Sequence, residues 1–358
     1  MNRIAGMNAG QIIGTLNGQQ VVGLDIAKSV FQIHAVNMST GEIINQQIKR
    51  GKMLEHFANR VPCVIGIEAC GSAHHWARQL TALGHSVRLI HAKAVRPFVS
   101  GNKTDATDAR AIWLAVQQPG TKFVGIKTLA QQATLTLHRQ RELLMKMKAM
   151  QSNALRGLLY EFGAVFGKGT KALFSAIEAA LEKLIKDIPQ FVADSLREQV
   201  SRIKQLETDI KAIERRLTQQ LRVDADMKRV AEIPGVGLLT ATAAIATMGQ
   251  AHAFKSGREF CAWLGLVPRQ SGTGGKVKLL AISKRGDTYL RTLLIHGARS
   301  VLTHAKQPGA WLQELKTRRP ANVVIVAQAA KMARTIWAVT AKQQSYQRGY
   351  QSVRPQAA

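Results

Sequence analysis

Four acidic residues, far apart in the chain, are of a type and spacing that could do phosphoryl-transfer chemistry. Asp25 closes the apolar run VVGLD, Glu68 closes VIGIE, and Asp105 and Asp108 stand three apart in KTDATDAR. A spacing of three puts the last two on one face of a helix start. Four converging carboxylates cannot all ionise without a countercharge, because each raises the pKa of the others. Divalent cations resolve the conflict: Mg²⁺ takes carboxylate oxygens and keeps positions open for water and phosphate. Two such ions roughly 4 Å apart activate a nucleophile and stabilise the leaving oxygen. Read singly, each acid has a plainer role. Asp105 alone would be a helix N-cap, Asp108 a favourable first-turn acid, and Asp25 a hairpin residue. The chemistry depends on the four meeting, and so on the elements that carry them.

Those elements follow from the pattern of apolar residues. QVVGLDIA is a buried strand, SVFQIHAV alternates as a second, and the turn NMSTGE leads to a third, IINQQIK. A helical stretch (51–60), a strand (63–69), a helix from Ser72 ended by Gly84, a strand (86–92), an unpatterned segment (94–100) and a helix from Asp105 follow. The order β-β-β-α-β-α-β-α predicts an α/β RNase H-like fold, in which the strands ending in Asp25 and Glu68 are neighbours. From Leu129 the sequence turns helical. Leu196, Val200, Ile203, Leu206, Ile210, Ile213, Leu217 and Leu221 form a stripe that suits an intrachain bundle and an intermolecular coiled coil equally. A break is expected at 161–170, and a glycine turn, AEIPGVG, opens the last region, where Gly235 and Gly237 could bring backbone N–H groups to a phosphate. Beyond it lie a helix, the glycine-rich loop VPRQSGTGGK, a basic turn and a helix bearing Arg291.

Charge narrows the substrate. In 358 residues, Lys+Arg number 50 against 22 Asp+Glu, a formal charge of +28 with a pI near 10.7. A protein this basic, with 46% hydrophobic residues to build cores, is expected to be globular and to hold a polyanion, most commonly nucleic acid. Three cysteines, Cys63, Cys70 and Cys261, form no zinc spacing and no disulfide framework. They fit a reducing compartment. Cys70, beside Glu68, reads as a small buried residue. The N-terminal segment has no signal-peptide pattern. The apolar run Val236–Met248 is too short to cross a bilayer, so no membrane partner is expected.

The motifs GLDIAK, GIEACG, NKTDATDA, IPGVG, AWLGLVPRQSGTGGK and ISKRGDTYLRTLL, in that order, resemble the DEDD insertion-sequence transposases, the Piv/MooV-like recombinases. The resemblance covers about residues 20 to 340. It implies a leader (1–19), a RuvC-like (RNase H-like) domain (20–128), a helical coiled-coil region (129–225), a mostly α C-terminal transposase domain (226–342) and a disordered tail (343–358). It further implies a metal tetrad of Asp25, Glu68, Asp105 and Asp108 holding Mg²⁺, in two ions, with Mn²⁺ able to substitute. Its partners would be DNA, a noncoding bridge RNA as guide, and further copies of the chain as dimer or tetramer. Its place would be the bacterial cytoplasm, at the nucleoid.

The family also uses a C-terminal serine nucleophile, and here the chain departs from its pattern. The ungapped position is Thr273, whereas the loop's serine is Ser271, two residues earlier. A two-residue shift is easy in a glycine-rich loop, and a primary alcohol is the less hindered nucleophile, so Ser271 is favoured with Thr273 as the alternative. Lys276, Lys278, Lys284, Arg285 and Arg291 are the candidate phosphate contacts. Two other functions remain open on the sequence: a metal-only nuclease or junction resolvase, and a non-catalytic nucleic-acid-binding protein.

Overall fold

A computed structural model of the protein describes residues 15–16, 19–37, 39–102, 104–167, 169–305 and 309–350. Most of the expected leader and the last eight residues of the expected tail, 351–358, lie outside the described residues. The chain divides into two compact units, Met1–Thr128 and Leu129–Ala358.

The first unit runs β1 (Thr15–Leu16), β2 (Gln19–Asp25), β3 (Val30–Val36), β4 (Ile43–Lys49), α1 (Met53–Ala58), β5 (Val64–Glu68), α2 (Ala73–Ala82), β6 (Ser86–Ile90), α3 (Ala92–Val95), α4 (Asp105–Gln117) and β7 (Phe123–Val124). The sheet order is β4-β3-β2-β5-β6-β7, with β1 paired to β2. β2, β3 and β4 form an antiparallel meander. β5 and β6 join it in parallel through the α1 and α2 crossovers, and β7 closes the edge antiparallel to β6. This is the RNase H-like arrangement that the order of patterns predicts. The unpatterned segment 94–100 holds the end of α3 and a single 3₁₀ turn, Arg96–Phe98.

Period-two alternation decides which residues meet which helices. Val22, Leu24, Ile65 and Ile67 face α1 and α2, packing with Phe57, Trp76 and Leu80. Val21, Val64 and Ile90 face the other way, packing with Ile112, Trp113 and Val116 of α4. Each such fully buried side chain contributes about 1.5–3 kcal/mol. Both faces of the central strands are therefore committed, which is why VVGLD and VIGIE read as continuous apolar runs.

The second unit contains α5 (Leu129–Glu161), α6 (Thr170–Leu184), α7 (Gln190–Val223), α8 (Ala225–Ala231), α9 (Leu238–Met248), α10 (Gly257–Trp263), β8 (Pro268–Thr273), β9 (Lys276–Ile282), α11 (Thr288–His304), α12 (Ala310–Arg318) and α13 (Ala321–Lys342). α5 and α7 lie antiparallel: Arg141 pairs with Glu214, Lys148 with Glu207, and Gln199 donates to the Gln151 carbonyl. The α7 stripe from Leu196 to Leu217 is buried within the chain, its first half against Leu155 and Leu159 of α5 and Leu173, Ile177 and Leu181 of α6. The stripe is thus satisfied inside one chain. A second core gathers α8, α9, α10, α11 and α13 around Phe260, Leu290 and Ile336. By length and composition α13 is apolar enough to cross a membrane, but half of its apolar window is buried in this core.

The segment expected as a glycine-rich loop is a two-stranded hairpin, β8–β9. Gly274 and Gly275 form its turn, both with positive φ (55° and 78°). Two consecutive positive-φ residues are what a two-residue hairpin turn needs to match strand twist. Gly-rich sequence therefore specified a tight reversal here, where it had suggested looseness.

Candidate active site

Two glycines set the site. Gly23 and Gly66 are register partners on β2 and β5, each two residues before an acid. Period-two alternation places Asp25 on the same face as Gly23, and Glu68 on the same face as Gly66. α4 lies directly on that face. A Cβ at Gly23 would sit 2.2 Å from the Ala109 carbonyl oxygen and 2.6 Å from the Trp113 nitrogen; at Gly66 it would meet Val116 and Ile112 at 3.0 and 3.2 Å. The Trp113 indole N–H donates to the Val21 carbonyl, so α4 runs back along β2 and its first turn arrives at Asp25. Asp105 and Asp108 are the acids of that turn. The β2–β5 register ends at Leu24↔Ile67, and Asp25 and Glu68 each follow one residue further on. Three segments, β2, β5 and α4, thus bring four carboxylates toward one edge of the sheet.

The start of α4 is held by its own chemistry. Thr104 is the N-cap, and Thr104 and Thr107 bond reciprocally as a capping box. Asp105 is therefore not the cap, contrary to the plainer sequence reading. Both aspartates are free to point away while still gaining from the positive end of the helix.

The electrostatics are those of an uncompensated cluster. Burial, then Asp108, Asp105 and Glu68 in that order, push the Asp25 carboxyl from 3.8 up to about 6. Among the described residues no lysine or arginine forms an ion pair with any of the four. Nor do any three ligand-type side chains among them stand close enough to close around one ion as placed. Like charges in one field repel, so a cation bound by all four would have to draw them closer. An all-oxygen acidic set with no ion-paired lysine or arginine among the described residues suits a hard divalent ion, and Asp25, Glu68, Asp105 and Asp108 are its candidate donors.

The hairpin carries the hydroxyls. Ser271 pairs with Lys278, and Thr273 with Lys276. Directly opposed residues share a face, so both hydroxyls and both lysines lie on one side of the ribbon. Gly272↔Val277 and Gln270↔Leu279 occupy the other side. The ribbon is solvent-exposed along both strands, while its base is fixed: Ser283 and Lys284 donate backbone N–H groups to Val267 and Gly265.

Several candidates take different roles from those expected. Arg291 is 7% exposed, and its guanidinium donates to the carbonyls of Leu264 and Arg285 and to the Thr288 hydroxyl. It ties the hairpin base to α11, so its donors are not available to a phosphate. Gly235 lies against Gly297 of α11, where a Cβ would sit 2.8 Å from a carbonyl oxygen; only Gly237 of that turn is open. Lys276, Lys278, Lys284 and Arg285 are exposed as expected. Cys70 is exposed, against the expectation of burial, because it follows the strand end and leaves the core. The sequence reading missed the positioning role of Gly23 and Gly66. The signal was present: glycine two residues before the acid, in both GLD and GIE.

Residues 22–163 match the DEDD transposase family, and residues 227–312 match the transposase IS116/IS110/IS902 family. Among similar proteins, a probable family 20 transposase of Pseudomonas aeruginosa is 44% identical over 92% of this chain and 98% of its own length. The transposase for insertion sequence element IS1111A of Coxiella burnetii is 37% identical over 92% of each. A putative transposase of Sinorhizobium fredii is 39% identical over 91% of this chain and 85% of its own length. With an RNase H-like sheet, the acid tetrad on its edge and relatives aligned along nearly the whole chain, this protein belongs to the IS110 family of DEDD insertion-sequence transposases.

Proposed function

We propose that the chain excises and inserts its element by metal-assisted transesterification, with Ser271 as nucleophile and the tetrad Asp25, Glu68, Asp105 and Asp108 as the cation site. The observation that carries this reading is the shared field of four carboxylates at the edge of one sheet, with no lysine or arginine ion-paired to them among the described residues, in a protein of charge +28. Two Mg²⁺ ions, or Mn²⁺ in their place, would supply the positive charge that activates the hydroxyl and balances the leaving oxygen. The chain's own residues do the rest. Ser271 Oγ forms a bond to phosphorus as the P–O bond to the departing deoxyribose oxygen breaks; the serine proton passes to water, and the departing oxygen takes a proton from water and leaves as a free hydroxyl end. The phosphoserine link conserves the bond for rejoining. Lys278, across from Ser271, and Lys276, diagonal to it, are set to meet the phosphate's non-bridging oxygens. Thr273 would do the same chemistry with a more hindered oxygen. Lys284, Arg285 and Gly237 are further backbone contacts in this reading.

Target choice falls to a bridge RNA, whose backbone, like that of DNA, suits the basic surface. The working form is a dimer or tetramer. Leu143, Met150 and Leu158 on the outer face of α5 are 57%, 68% and 48% exposed and offer a surface for a second copy.

The test is a denaturing gel of protein incubated with element-end DNA, the RNA and Mg²⁺. The reading expects a covalent protein–DNA adduct that disappears in EDTA and in Ser271→Ala, with DNA binding retained. Free cut ends without adduct would indicate a metal-only nuclease. Adducts that persist with Ser271 and Thr273 both changed to alanine would overturn the nucleophile.

A further inference from the structure

The free edge of the first unit's sheet carries a strand that the chemistry above does not use. β4 ends the sheet order and, among the described residues, is paired on one side alone, to β3. Natural sheets guard such edges with proline, lysine, a bulge or a short strand. Between Ile43 and Ile48 β4 has none of these: the run IINQQI is uncharged, holds no proline and keeps one unbroken register with β3. Asn45, Gln46 and Gln47 are exposed.

The hydrogen bonds at its two ends fix which backbone groups look outward. The Asn37 N–H donates to the Glu42 carbonyl, and the Arg50 N–H donates to the Ser29 carbonyl, both in the β3–β4 register. Bonded and non-bonded pairs alternate along an antiparallel ladder. The even-numbered residues from Glu42 to Arg50 therefore turn their N–H and C=O groups to β3, and Ile43, Asn45, Gln47 and Lys49 turn theirs outward. That outward set is symmetric about Gln46. A second copy of the strand, antiparallel across a two-fold axis at Gln46, sets Ile43 opposite Lys49 and Asn45 opposite Gln47, so every outward group finds a partner. The side chains agree with the backbone. Ile44 and Ile48 lie on the face of the Phe31 and Phe57 core and meet each other across the axis, which continues that core from copy to copy. Asn45 and Gln47 meet as amides on the opposite face. Glu42 comes opposite Arg50, whose guanidinium stacks over the Phe31 and Trp76 rings; a stacked guanidinium still donates in its own plane. This register opposes no like charges.

We propose that β4 is an interface at which a second copy of this chain joins by strand addition, making one continuous sheet across the two copies. Main-chain bonds supply the affinity, and the Ile44–Ile48 and Glu42–Arg50 pairs fix the register. The surface is separate from α5, so a protein that uses both assembles beyond a dimer. The proposal shares with the functional reading only the presence of further copies, and does not rest on the metal or serine chemistry. Absence of an adduct would defeat that chemistry and leave the present test readable.

The experiment follows full-length protein by sedimentation velocity over a range of concentration, together with disulfide trapping at the axis. Gln46→Lys opposes two ammonium groups at the two-fold and should raise the dissociation constant of the pair about tenfold or more. Gln47→Pro removes an outward N–H and leaves the bonds to β3 intact, as edge prolines do, and should act in the same direction. Cys63 and Cys261 are buried, and Cys70→Ser removes the exposed thiol. In that background Gln46→Cys should give a disulfide-linked dimer under mild oxidation, because directly opposed Cα atoms lie within disulfide reach. Thermal melts establish that each variant is folded. Unchanged mass in Gln46→Lys and Gln47→Pro, with Gln46→Cys untrapped, overturns the proposal; if Leu143→Lys on α5 lowers the mass in the same series, the α5 surface stands without it. A protein that is monomeric at every concentration overturns both.

Discussion

Replacing Asp25 by asparagine should stabilise the cation-free protein at neutral pH. Asp25 sits in a repulsive field, its carboxyl raised from 3.8 to about 6 by burial first and then by Asp108, Asp105 and Glu68. A raised folded-state pKa means that the folded protein holds this proton more tightly than the unfolded chain does. Its stabilising contribution is full below about pH 4 and is lost as pH rises through about 6. The shift corresponds to on the order of 3 kcal/mol at 1.36 kcal/mol per pH unit, and solvent screening at this half-buried group reduces it to about 1–2 kcal/mol. Asparagine has nearly the same shape and no charge. The assay is hydrogen exchange of β2 and β5 amides in EDTA, at pH 5 and pH 7.5, with intrinsic rates corrected for pH. The unmodified protein should lose protection between the two, and Asp25→Asn should not. At pH 7.5 the variant should be the more protected by about 1–2 kcal/mol. Saturating Mg²⁺ should reverse the order, since only the unmodified protein gains binding energy from it. Equal protection at pH 7.5, with the same pH dependence in both, would show that the four acids do not share a field.

Other perturbations read the same structure. Gly23→Ala puts a Cβ 2.2 Å from the Ala109 carbonyl, so it should cost about 3 kcal/mol or more in thermal melts, while Gly51→Ala, which meets nothing, should stay within about 0.5 kcal/mol. His138 is 1% exposed, its Nε2 bonded to Thr242 and its Nδ1 to Tyr289, and burial lowers its pKa from 6.5 to about 4. A depressed pKa contributes stability present above pH 6.5 and lost as pH falls toward 4, so His138→Gln should flatten the acid-side loss of α5 and α11 protection in hydrogen exchange. Arg291→Met leaves two carbonyls without donors and should cost about 2–4 kcal/mol in urea unfolding, with adduct yield falling even where DNA binding survives.

How much of this was legible in the sequence varied with the physics involved. β2, β3, β5 and β6 were readable because apolar runs and alternation of period two are direct consequences of burial. The positions of the four acids were readable because Asp25 and Glu68 each close an apolar run and Asp105 and Asp108 open a helix. The hairpin was not: β8, PRQSGT, is exposed on both faces and so has no alternation to read. Its only signal was the Gly274–Gly275 pair, which suits a tight turn and a flexible loop equally. The α7 stripe told that one face is buried but not by what, and the structure supplies α5 and α6 of the same chain. Arg291 reads as a surface cation because nothing in an arginine's sequence context announces that neighbouring carbonyls will need its donors.

The account turns on one cation site assembled from Asp25, Glu68, Asp105 and Asp108. Water-proton relaxation of Mn²⁺ titrated into the purified protein tests it directly. The expected result is binding that Asp25→Asn, Glu68→Gln and Asp108→Asn each weaken severely, with the doubles no worse than the worst single, as members of a shared site behave. Binding that is unaffected by these changes, or lost in small independent steps, would contradict it.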